Sequence, residues 1–180
     1  MSRPDAALVG VATAWSRLDR ALGRLTDDAA RAPSQLPGWT RAHVVAHVWG
    51  NAEGFVAMVT AAADGRVGVQ YPGGVEGRGR DIAGRAALPL DVIVDGARAS
   101  EAALTDAWDL MPADAWDQPS AFFGGTQPVA VTALARWREI VVHHVDLDAG
   151  LEPEDVPADY HDADADWLAE YRPDWTAASR

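Results

Sequence analysis

Apolar side chains at Leu8, Val11, Trp15, Leu18, Leu22 and Leu25 recur in steps of three and four, the period of one helix face. The spacing predicts a first helix over residues 5–30, closed by Pro33 and the Pro37-Gly38 pair. Leu36-Pro-Gly-Trp-Thr40 then reads as a turn into a second helix over 41–63. Thr40 supplies the N-cap, His43 takes the third helical position, and Asp64-Gly65 is the stop. Pro89 suits the first turn of a third helix over 89–111, which Pro112 ends. A fourth, over 128–148, opens at Pro128 and closes before Gly150.

Two connections are long. Seven of the sixteen glycines fall between Gly65 and Gly84, so 64–88 reads as a surface loop. Its Gly-x-Gly spacings follow no strand and carry little weight as a phosphate motif. Residues 112–127, rich in Pro, Gly and Asp around Phe122-Phe123, leave room for a short hairpin. Four long amphipathic segments without a sustained strand pattern predict an all-α four-helix bundle with long connections. The division expected is a bundle over 1–150 and an acidic extension over 151–180 holding one short helix near 161–171.

Composition narrows the chemistry. The 180 residues include no cysteine, so disulfides, thiolate metal sites and a cysteine nucleophile are excluded, and any thiol must come from outside. All fifteen basic residues are arginine, which removes Schiff-base and P-loop lysines. The net charge is −12, of which −7 lies in residues 151–180. Such a field argues against nucleic acid and anionic membrane surfaces as partners. No stretch approaches the ~20 apolar residues of a spanning helix. Met1-Ser-Arg-Pro-Asp5 leads straight into the first helix without a signal core, so a cytoplasmic protein is expected.

The candidate chemistry lies on the second and fourth helices. In Arg138-Glu-Ile-Val-Val-His-His-Val-Asp146, Glu139 and His143 are four apart and Asp146 is three further on, all on one face. Leu134, Trp137, Val141 and Val145 make the core stripe beside them. On the second helix, His47 and Asn51 sit inside the apolar stripe of Val44, Val48, Phe55 and Met58. Burying an imidazole and an amide is costly unless each is hydrogen-bonded or liganded. Convergence of His47, Glu139 and His143 on one divalent ion would satisfy both helices. The ion would be zinc or iron(II), with Asn51 and Asp146 behind the ligands. Separately, Glu139 and His143 also read as a solvated helical pair, and His47 as a hydrogen-bonded core histidine. His144 points about 100° away from His143, and His161 falls in the acidic extension.

These motifs resemble the mycothiol-dependent maleylpyruvate isomerase family, whose N-terminal domain is a DinB-like four-helix bundle. The likeness rests on Leu36-Pro-Gly-Trp-Thr-Arg-Ala-His-Val-Val-Ala-His47, on Arg80-Asp-Ile82, and on Arg138 to Asp146 followed by Leu147, and it spans about 5–160. It implies a zinc ion on His47, Glu139 and His143, with a thiol cofactor and substrate at the open positions. It also implies basic residues at Arg80 and Arg138, which read equally well as salt-bridge partners. Full-length members carry a further C-terminal domain, which this chain is expected to lack, and that counts against maleylpyruvate as the substrate.

Three functions compete. The first is a zinc-dependent enzyme that activates mycothiol or a similar thiol for S-transfer to, or cis–trans isomerisation of, an electrophilic small molecule. The second is a thiol-independent metal hydrolase, with Asp146 as the remaining base. The third is a binding or dimerisation module with a vestigial metal site. Trp116, Trp167 and Trp175, in loop or tail, leave a homodimer open.

Overall fold

The computed structural model describes residues 2–178. Helix α1 covers Asp5–Leu22 and turns Val11, Ala14, Leu18 and Leu22 inward. The single helix expected over 5–30 is in fact two. Gly23, a poor helix former, ends α1, and Thr26 starts α2 (Asp27–Arg31), its hydroxyl accepting from Ala29 N at 3.2 Å. Helix α3 covers Arg41–Ala63, as the sequence predicts. At its start the His43 imidazole takes the part usually played by glutamate in a capping box: Nδ1 accepts from Thr40 N at 3.3 Å.

The connection expected to be a loop holds structure. Strand β1 (Gly68–Val69) leads to helix α4 (Gly74–Ala86). The glycines hide the helical pattern, but Ile82 and Ala86, one turn apart, are buried, and α4 packs against α3. That tertiary contact overrides the weak intrinsic propensity. β1 also lies flat on α3. A Cβ at Gly68 would stand 2.4 Å from Met58 Cα, so only glycine allows this approach.

Helix α5 (Leu90–Asp109) follows Pro89. A 3-10 turn at Ala115–Asp117 leads into β2 (Pro119–Phe122) and β3 (Gly125–Pro128), an antiparallel hairpin where the sequence leaves room for one. β1 joins β2 in parallel, giving a three-stranded sheet beside the bundle. Helix α6 covers Val131–Asp146.

Helices α1, α3, α5 and α6 form the four-helix bundle: α3 packs on α5 and α6, and α1 on α6. Arg98 on α5 donates to Asp19 on α1 at 2.7 Å, linking that remaining pair. The extension holds more helix than the one short segment expected. After a 3-10 turn at Pro153–Asp155 come α7 (Ala158–Ala163), α8 (Ala165–Tyr171) and α9 (Pro173–Ala178). Tyr160, Leu168 and Trp175 are fully buried and join the bundle's core. Among the described residues, no helix is long and apolar enough to cross a membrane.

Candidate functional site

Packing of α3 on α6 brings His47 and Glu139 together although 92 residues separate them; Nε2 and Oε2 are 2.8 Å apart. His143, one turn beyond Glu139, places Nε2 3.2 Å from the same oxygen. All three candidate ligand atoms lie within 4.8 Å of one another. The two imidazoles meet edge to face at 4.5 Å between centroids, and Trp39 stands edge-on to His47 at 5.8 Å. His47 is only 2% exposed, so each of its nitrogens needs a partner.

Asp146 sits behind this group. A carboxylate oxygen accepts here, so His143 Nδ1 donates to Asp146 Oδ2 at 2.9 Å and turns Nε2 toward Glu139. This carboxylate–imidazole arrangement fixes the tautomer and orientation of metal-binding histidines. Two nitrogens and one carboxylate oxygen at these separations form a donor set that zinc or iron(II) accepts.

The electrostatics separate the two histidines. Burial pushes His47 down to about 4, with the charges of His143 and Arg78 adding to the fall and Glu139 opposing it. Burial would lower His143 too, but hydrogen bonds to Asp146 and Glu139 outweigh it and raise His143 to about 9. Burial disfavours the ionised form of Glu139, yet the two imidazoles hold it well below the usual carboxylate range. At neutral pH, then, the group is a neutral His47 beside a Glu139–His143 ion pair.

A cavity of about 220 Å³ opens at His47, between α3 and α4. Sequence reasoning missed two residues that line it. Arg78 Nη2 stands 3.1 Å from Nδ1 and 3.3 Å from Nε2 of His47. Tyr71, just before α4, lies with its ring 5.6 Å from the Arg78 guanidinium. Burial and the Glu139 charge push the Tyr71 hydroxyl up, while Asn51 and Arg78 oppose them. Arg78 stands one turn before the buried Ile82, a relation that shows only once 74–86 is known to be a helix.

The other expected residues are placed as follows. Arg80 points to solvent, with only a 3.9 Å contact to Glu76. Arg138 faces the extension and donates from Nε to Asp164 Oδ2 at 2.7 Å. Asn51 is fully buried; Oδ1 accepts from Arg136 Nη1 at 2.8 Å, and the side chain also faces the Tyr71 hydroxyl. Arg136 was also missed, although it falls in the inward row of Ala133 and Ile140. Its guanidinium donates twice to Glu101 Oε2, at 2.6 and 2.9 Å. His144 is buried on the side of α6 that faces α1, where burial and then Arg24, Arg17 and Arg20 lower it to about 4. His161 is half-buried beside Tyr160.

No curated protein matches the chain. Among solved structures, the crystal structure of the mycothiol-dependent maleylpyruvate isomerase superposes with a TM-score of 0.86 at 28% identity, over 92% of this chain and 71% of that one. A histidine-to-alanine mutant of the mycothiol-dependent maleylpyruvate isomerase gives 0.85 at the same identity and coverage. The family model described as the mycothiol maleylpyruvate isomerase N-terminal domain matches residues 11–148, a span that includes α3, α4, α6 and all three residues of the donor set. The chain therefore belongs to the mycothiol maleylpyruvate isomerase N-terminal domain family.

Proposed function

We propose that this protein is a thiol-dependent isomerase whose centre holds a divalent metal, zinc by preference, on His47, Glu139 and His143. The observation that carries the reading is the convergence of these three side chains from two helices, with His47 lining the cavity. The structural relatives, described as mycothiol-dependent, supply the thiol. A metal there would lower the pKa of a thiol placed beside it. Asp146 orients His143, and burial keeps His47 unprotonated and ready as a donor. Arg78, on the cavity side of His47, is placed to hold an anionic group of the electrophile.

The chain has no cysteine, so the sulfur comes from a cosubstrate such as mycothiol. Its addition to a conjugated carbon converts the double bond to a single bond and leaves the electron pair on the conjugated carbonyl oxygen. Rotation follows. Collapse of that electron pair then reforms the double bond in the other geometry and expels the sulfur. Stopping after addition and protonation gives S-transfer instead.

A hydrolase would need a free base, and Asp146 is committed to His143. The test combines metal analysis of protein purified without chelator or metal-affinity tag with turnover of cis-configured conjugated keto acids with and without mycothiol. About one ion per chain and thiol-dependent turnover are expected. Full metal with turnover indifferent to thiol would overturn the thiol part, and stoichiometry far below one would overturn the metal part.

A further inference from the structure

The extension is strongly acidic, yet its contacts with α6 follow a different pattern. Among its described residues one acid, Asp164, is buried, and it faces Arg138. Tyr160 OH donates to Asp164 Oδ2 at 2.9 Å, and Trp167 stacks on the Arg138 guanidinium at 4.5 Å. Tyr160 also packs edge-on against Trp137 at 5.5 Å. This latch therefore grips the two residues immediately before Glu139.

A second contact lies one α6 turn and more away. Arg172, its guanidinium carbon 4.2 Å from the Trp175 ring centroid, brings Nη1 to 3.6 Å from Asp146 Oδ1. The other Asp146 oxygen accepts the hydrogen bond from His143 Nδ1. The extension thus touches α6 on both sides of the Glu139–His143 pair, and Arg172 meets the carboxylate that orients His143.

We propose that the extension is a positioning segment for this centre, and that Arg172 is a positioning residue that sets the Asp146 carboxylate and, through it, the His143 ring. The inference rests on the metal centre proposed above. Carboxylates behind metal-bound histidines are themselves held by hydrogen bonds or charges, and losing such support costs about 10–100-fold in metal affinity or activity. Arg172 stands one step further out, so its effect falls at the lower end of that range.

The test uses the full chain and two readouts. One is the cobalt(II) dissociation constant, measured by competition with a chelator. The other is the ¹⁵N shift of the His143 imidazole in metal-free protein at one fixed pH. R172Q is expected to weaken cobalt binding about tenfold and to move the His143 shift, whereas R172K retains both wild-type values. D164N, which loosens the latch, should move the His143 shift in the same direction as R172Q. In a D146N background, R172Q should change neither quantity, because its route to His143 is gone. The proposal is overturned if R172Q matches wild type in both readouts, or if its effect is equally large without Asp146. Should the wild-type protein bind no cobalt, the metal reading fails, while the ¹⁵N arm still decides the role of Arg172.

Discussion

Metal uptake by this protein should release a proton, and the proton should come from His143. In the metal-free site His47 is neutral above about pH 4, Glu139 is already ionised, and His143 keeps its charge up to about 9. A metal ion needs the neutral imidazole. At pH 7 only about 1% of His143 is in that form, so apparent affinity should lie ~100-fold below its alkaline plateau, or about 2.7 kcal/mol. Affinity should rise about tenfold per pH unit between pH 6 and 8. Calorimetric titration of cobalt(II) in buffers of different ionisation enthalpy should count about one proton released at pH 7, and fewer in D146N, which loses the contact that most raises His143. The same shift affects the metal-free fold. His143 is raised above its ordinary value of 6.5, so its stabilising charge is fully present below about 6.5 and is lost as pH rises through 9. Metal-free protein should therefore lose stability over the window in which metal affinity grows. Zero protons released at pH 7, with affinity flat from pH 6 to 8, would show that Asp146 and Glu139 do not hold His143 in its charged form.

Three further outcomes are expected. Arg78→Ala should raise KM for an anionic substrate at least tenfold, while Arg80→Ala, exposed and barely paired, leaves steady-state kinetics unchanged. Glu101→Ala should cost about 3–5 kcal/mol in denaturant unfolding by leaving the buried Arg136 charge without its carboxylate. His144→Leu should flatten the acid limb of stability: with its folded pKa lowered to about 4, His144 favours the fold above 6.5 and loses that contribution as pH falls toward 4. The wild-type loss attributable to it is ~2 kcal/mol at pH 5, and equal acid sensitivity of the two proteins would refute the assignment.

The bundle was legible because its helices carry their own signals. Thr40 and Asp64 bound α3 almost to the residue, and the His47–Asn51 interruption of an apolar stripe marked the face that meets α6. The helix missed beside the candidate site was one whose formation depends on a neighbour. Gly74, Gly77, Gly79 and Gly84 give α4 little intrinsic helicity, and it exists because Ile82 and Ala86 find α3. The third strand of the sheet, β1, was hidden for a related reason. β1 is two residues long and has no hydrophobic alternation, and it is held by Ser120 and Ala121 from a segment some fifty residues later.

The same dependence explains which site residues were found. His47, Glu139 and His143 lie on helices whose register can be read locally, so their faces could be compared before any tertiary contact was known. Arg78 could not be chosen over Arg80 without the register of α4. Once Ile82 is known to face α3, Arg78 one turn earlier must share that face, and Arg80, about 200° around the helix from Ile82, must turn to water. Arg138 was singled out by the family resemblance, but it is adjacent to Glu139, and adjacent helical residues diverge by about 100°. That divergence carries its guanidinium away from the cavity and onto Asp164. The proposed ligands therefore sit on the most self-sufficient parts of the fold, while the groups that would choose the substrate sit on α4 and the β1 connection, whose shape the bundle imposes. Substitutions in residues 64–88 should accordingly change what this centre acts on more readily than whether it binds metal.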